Sequence, residues 1–112
     1  IYMSWYTTIC YFGTKINKNK FSKYVTNVEW LKFVNNNINN HFKNFTVSKD
    51  IGYWEGEKEL TYKLTLIHKN DENVMNNLIK IAKEYSILYK QDEVLINTTK
   101  SILLGINNDK IK

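Results

Sequence analysis

The chain has 112 residues, a formal charge of +5, 16 Lys, no Arg, no Pro and a single Cys. A length near the usual domain size of about 100–150 residues leaves room for one domain. Cys10 alone excludes an internal disulfide, and with His41 and His68 as the only imidazoles a zinc cage would need carboxylates or a partner chain. No metal and no cofactor is expected. A hydrophobic share of 43% with 14% aromatics is ample for a core. No apolar run reaches the roughly 18 residues of a membrane-spanning helix, so no transmembrane segment is expected. Heavy use of Asn, Lys, Ile and Tyr fits AT-rich coding. That origin deprives the Lys/Asn tract from Lys15 to Lys20, the Asn35–Asn37 run and the Asn-x-Thr triplets at Asn44 and Asn97 of weight as signals.

A first strand is predicted around Tyr6 to Thr14, where β-branched and aromatic residues alternate and Gly13 can end the run. A solvated Lys/Asn loop follows, to Tyr24. Thr26-Asn27-Val28-Glu29 has the form of a capping box, so a helix should begin there and stop near His41 to Lys43. Its apolar stripe would be Trp30, Val34, Ile38 and His41 with Leu31, Phe33 and Phe42. A second strand is predicted from Phe45 to Trp54, then a polar hairpin connection Glu55 to Glu59, and a third strand from Leu60 to Lys69. Asn70 or Asp71 would cap a long helix buried through Val74, Met75, Leu78, Ile79, Ala82, Tyr85 and Tyr89, ending near Lys90. A fourth strand should cover Glu93 to Thr99. Ser101 to Ile106 would add a short fifth before a frayed tail, giving an ordered core of about 6–100.

This order predicts an α+β, ferredoxin-like βαββαβ domain with a four-stranded antiparallel sheet and both helices on one face. The opposite phase, with Ile9, Tyr11, Ile67 and Leu95, would be left open, which suits a homodimer or a place in a larger protein assembly.

Five spaced clusters carry a resemblance: Tyr11-Phe12-Gly13; Val25-Thr26-x-x-Glu29-Trp30-x-x-Phe33; Phe42-x-x-Phe45-Thr46-Val47; Gly52-x-Trp54; and Tyr85-x-x-x-Tyr89-x-Gln91-x-x-Val94-Leu95. The chain resembles a domain-of-unknown-function family of small bacterial proteins over Tyr11 to Thr99. It departs from that family at Lys43-Asn44, where a Pro-x-Gly turn is usual, and at Lys90, where Gly precedes the Gln. The resemblance implies no activity; it allows an exported or lipoprotein-like origin, and localisation stays open.

Candidate site residues are few. Large aromatics at core phase usually pack, but Trp54 beside an acidic hairpin would line a ligand pocket with Tyr53 and Tyr62, and Gln91 joins them as a candidate ligand contact. His68, at the end of the third strand in core phase, reads first as a hydrogen-bonded structural residue. As a catalytic candidate with Tyr62 it would need a polar neighbour such as Gln91 or Glu93. Cys10 reads as a small buried hydrophobe. Residues 1–49 hold seven Lys and one Glu, so the basic excess is local. Lys15, Lys18, Lys20 and Lys23 make an electropositive loop able to attract phosphate, although nucleic acid is not favoured without an aromatic pair on the third strand. The favoured function is an interaction or assembly module using the open sheet face. The alternative is a dimeric α/β-barrel enzyme or small-ligand binder with a pocket near Trp54, Tyr62 and His68, and the third reading is non-specific nucleic-acid binding through the Lys loop.

Overall fold

The computed structural model describes residues 2–16 and 23–107. In chain order the elements are strand β1 (Tyr2–Gly13), helix α1 (Asn27–Phe33) running into a π-helical turn (Val34–Ile38), strands β2 (Thr46–Trp54) and β3 (Glu57–Lys69), helix α2 (Glu72–Leu88) and strand β4 (Leu95–Leu103). All strand pairs are antiparallel and the sheet order is β2-β3-β1-β4. This is an α+β fold with a four-stranded open sheet and two helices, consistent with a ferredoxin-like arrangement.

Strand alternation decides which face is buried. Cys10 lies opposite Leu64 and Phe12 opposite Tyr62, and these four join Trp30, Phe33, Ile38, Leu78, Ile81 and Tyr85 in one core. Trp30 stacks on Tyr62 with ring centroids 4.7 Å apart and planes 2° from parallel, while Phe12 meets Tyr85 edge-on at 4.7 Å. Burial of each such ring stabilises by roughly 1.5–3 kcal/mol. The other phase leaves Ile67 and Leu95 exposed on the open face.

The capping box forms as the sequence requires: the Thr26 hydroxyl accepts from the Glu29 amide at 3.1 Å and the Glu29 carboxylate accepts from the Thr26 amide at 3.0 Å. Asp71 caps α2, accepting from the Asn73 amide at 2.9 Å. Several boundaries differ from expectation. The first helix ends at Ile38 because its ladder widens over the Asn run, with the Asn39 amide donating to the Val34 carbonyl at 2.9 Å. Asn is a poor helix former, and the change of ladder coincides with the Asn35–Asn37 run. Leu31 and Ile79 are exposed, and Ile81 occupies the buried position. The β2–β3 connection is only Glu55-Gly56, both with positive φ (51° and 81°), so Glu57, Lys58 and Glu59 belong to β3. Two consecutive positive φ values are what a tight hairpin requires. Ser101 to Leu103 continue β4 instead of starting a fifth strand, because β1 begins at Tyr2 and pairs with them. Lys18, Lys20 and the predicted tail beyond residue 107 lie outside the described residues.

Candidate functional site

The end of β1 is held by side chains from three other elements. Beyond Gly13 the chain pairs with the segment that leads into α1, through Val25 amide to Thr14 carbonyl (2.7 Å) and Ile16 amide to Lys23 carbonyl (2.6 Å). From β3, one carboxylate oxygen of Glu59 accepts from the Thr14 amide at 2.7 Å and the Lys15 amide at 3.0 Å. From α2, the Tyr85 hydroxyl donates to the Gly13 carbonyl at 2.6 Å. Beyond α2, the Gln91 side-chain amide donates to the Lys15 and Tyr89 carbonyls at 3.0 and 3.1 Å. Gly13 makes this convergence possible. A Cβ there would lie 2.6 Å from the Glu59 carboxylate and 2.9 Å from the Gln91 amide oxygen.

A second glycine shapes the neighbouring surface. Alternation sends Gly52 and Trp54 to the same open face, and the bare Gly52 backbone lets the indole fold back over it. The indole N–H reaches the Thr61 hydroxyl at 3.3 Å, and its ring meets Tyr11 edge-on at 6.4 Å. Lys63 lies over Tyr11, 5.7 Å from the ring centroid, and pairs with Asp50 at 3.0 Å.

Together these features bound a cleft of about 580 Å³ at one end of the open face. Its aromatic wall is Tyr11 and Trp54, and Tyr53 lines its margin, although strand alternation puts that residue in the helix-side phase of β2; its polar wall holds Gln91 and the carboxylates of Glu55, Glu57, Glu59, Asp92 and Glu93. Lys15 is the one basic residue in the lining, and it pairs with Glu57 at 3.2 Å. That hydrogen bond and the Glu57 charge raise the Lys15 pKa. On a chain of net charge +5 the cleft is a local negative region. Among the described residues no three His, Cys, Asp or Glu side chains are grouped to hold a metal ion. Among the same residues no helix is long and apolar enough to cross a membrane.

The residues singled out from sequence divide between two faces. Trp54 and Gln91 come together at the cleft, with Lys15 at its rim, and Tyr53 touches its margin from the helix-side phase of β2. Tyr62 is on the opposite, helix-covered face, 1% exposed under Trp30, and burial raises its pKa. His68 shares that face but lies six residues farther along β3, about 20 Å at the usual rise per residue. Its Nδ1 donates to the Lys69 carbonyl at 2.7 Å, which leaves Nε2 to accept from the Thr8 hydroxyl at 2.6 Å. Thr8 in turn bonds Thr98 at 2.8 Å, and Tyr6 stacks on the imidazole. A pocket built jointly by Trp54, Tyr62 and His68 is not assembled, because strand alternation separates the first from the other two. Cys10 is buried and burial pushes its thiol pKa up to about 12. Lys23 is exposed and its backbone closes the short pairing after β1. Sequence reasoning missed Gly13 and Asp92 as site neighbours and Glu59 as the side chain that holds the end of β1, and it named Glu93 only as a partner for His68; the Phe-Gly end of β1 was the signal that a close approach was needed there.

The fold and cleft define a small α+β domain with an open, partly aromatic sheet face and an acidic corner. The chain belongs to the family described as "Protein of unknown function (DUF3574)", which it matches over residues 7–103. No curated protein matches it. Among solved structures it is similar to a phage SAM lyase in complex with S-methyl-5'-thioadenosine, at TM-score 0.58 and 12% identity, covering 89% of this chain and 84% of that one. It is also similar to the de novo designed protein Foldit4, at TM-score 0.53 and 15% identity, covering 88% and 98%. At these identities the likeness concerns the fold alone.

Proposed function

We propose that the protein is a non-catalytic interaction module of the ferredoxin-like βαββαβ type that takes a positively charged side chain of a partner protein into the cleft on its open sheet face. The strand order β2-β3-β1-β4 supports the fold assignment. The observation that carries the function is the pairing of two rings, Tyr11 and Trp54, with a carboxylate-rich wall whose one lysine is already bound to Glu57. A cation over an aromatic face gains about 0.5–2 kcal/mol, and nearby carboxylates add to it. The overall positive charge does not oppose this strongly, because at physiological salt charges beyond about 8 Å are screened. The non-catalytic reading is supported by the state of the reactive groups. His68 has both ring nitrogens engaged, Cys10 is held as a thiol, and burial raises the Tyr85 pKa. Nucleic-acid binding is disfavoured at this corner, since the carboxylates repel phosphate and Lys15 is neutralised.

A second reading, a small-ligand site, draws on the same rings and on the phage neighbour that binds S-methyl-5'-thioadenosine. Calorimetric titration with a tetralysine peptide, a tetraglutamate peptide and S-methyl-5'-thioadenosine separates the readings. The proposal expects tetralysine alone to bind, more weakly as salt rises and at least tenfold more weakly to Trp54→Ala. It is overturned if tetralysine fails to bind at millimolar concentration or binds Trp54→Ala as well as wild type. Selective binding of S-methyl-5'-thioadenosine would transfer the cleft to the second reading.

A further inference from the structure

We propose that two copies of the chain join edge to edge through β4, antiparallel about a two-fold axis at Thr99, so that their two four-stranded sheets become one. The strand Leu95–Leu103 reads Leu-Ile-Asn-Thr-Thr-Lys-Ser-Ile-Leu, which is palindromic in chemical type about its central Thr99. Antiparallel self-pairing about that residue sets Leu95 against Leu103, Ile96 against Ile102, Asn97 against Ser101 and Thr98 against Lys100. Like chemistry meets like at the apolar ends, and the one charge in the strand never meets its own copy. An isologous contact requires this self-complementarity, and cross-strand matching of this kind is the unit of sheet stabilisation.

The structure supplies the rest. β4 is an edge strand bonded on one side to β1, and no described residue pairs with its outer side. It is nine residues long and has no proline. An edge of that kind is normally blunted by proline, bulges or several charges, and among the described residues the one charged side chain that β4 carries is Lys100. Ile102 is 77% exposed in the single copy, and Ile96 of the second copy would lie beside it. The same-parity register keeps the helices of both copies on one side of the joined sheet; a one-residue slip would turn one sheet over. Full pairing would form roughly eight to ten backbone hydrogen bonds. The opposite edge behaves differently. Self-pairing of β2 about its centre would set Asp50 against Asp50 and Ser48 against Gly52, so the two edges are not equivalent and only β4 is self-complementary.

Sedimentation equilibrium at micromolar to hundred-micromolar concentration tests this. The wild type should reach twice the monomer mass of 13.4 kDa. Thr99→Glu and Thr99→Lys should each be monomeric while retaining the wild-type circular dichroism, and an equimolar mixture of the two should recover the dimer. Ile67→Glu, on the open face two strands away from Thr99, should leave the dimer intact. Hydrogen exchange on the wild type gives a second readout that needs no variant: β4 amides should gain protection as concentration rises. A wild-type monomer throughout, undiminished dimer in both Thr99 variants, a dimer lost in Ile67→Glu, or concentration-independent β4 exchange would each overturn the proposal.

Discussion

Gly13→Ala is a small change with a calculable consequence. The backbone at Gly13 is not in the left-handed region, so a methyl group introduces no φ strain. What it meets is the Glu59 carboxylate at 2.6 Å and the Gln91 amide at 2.9 Å, both ends of flexible side chains that can swing away. The cost is therefore set by what those side chains hold. Displaced Glu59 abandons the Thr14 and Lys15 amides, and Thr14 is buried at 1% exposure. A hydrogen bond to a charged acceptor contributes about 1.5–3 kcal/mol, and a buried amide left unpaired costs about 1–3 kcal/mol. Replacing Gly by Ala in a strand returns about 0.5–1 kcal/mol of backbone entropy. The expected net destabilisation is about 2–3 kcal/mol, read as a lower midpoint in urea unfolding at unchanged slope. A double-mutant cycle supplies the mechanism: in a Glu59→Ala background the carboxylate is already gone, so Gly13→Ala should cost less than about 1 kcal/mol. An equal cost in both backgrounds, or a cost below about 0.5 kcal/mol in the wild type, would refute the clamp.

Lys90 holds a φ of 51° at the end of α2, a left-handed conformation that favours Gly. Lys90→Gly should raise stability by about 0.5–1 kcal/mol, the left-handed penalty less the added freedom of the unfolded chain, measured by the same denaturation. Thr8→Val removes a buried hydroxyl bonded to both His68 and Thr98 and should cost about 1–3 kcal/mol while leaving ligand titrations of the distant cleft unchanged. Cys10 titrates near 12 when folded against an ordinary 9.0, so above pH 9 the unfolded chain loses its proton first. Stability contributed by this group is whole below about pH 9 and declines towards pH 12; Tyr85, Tyr62 and Tyr89, also raised by burial, act in the same direction. Equilibrium unfolding across that range should follow this decline, and the thiol should resist aromatic disulfide reagents at neutral pH until the protein unfolds.

Local patterns carried most of the fold. Period-two alternation in residues 6–12 and 60–68 identified the buried phase of both central strands, and Thr26 with Glu29 located the start of the first helix within a residue. These signals are legible because each depends on neighbours in sequence. The end of that helix was not legible, since the Asn run permits several ladders and only packing selects the π turn. Ile81, three positions after Leu78 and four before Tyr85, lies at the centre of the buried stripe, whereas Ile79 falls on its flank and stays 43% exposed; the apolar residues at 78, 79, 81 and 82 leave that choice open in the sequence. The cleft was half visible. Tyr53, Trp54 and Gln91 stood out as unusual residues, yet their common neighbour Glu59 binds amides 45 and 44 positions away, and no local pattern reports that. Tyr62 and His68 drew attention as chemical groups, whereas the sheet turns both towards the helices.

The central claim is that the corner formed by Tyr11, Trp54 and the surrounding carboxylates receives a positive charge. Amide and indole NMR shifts recorded during titration with tetralysine address it most directly. The account predicts saturable changes confined to the Trp54 indole and the backbone of Tyr11, Gly13, Gln91 and Glu93, abolished by Trp54→Ala, with Ile67 and His68 unmoved. Shifts spread evenly over the exposed surface, or centred on β2 and β3 away from these residues, would contradict it.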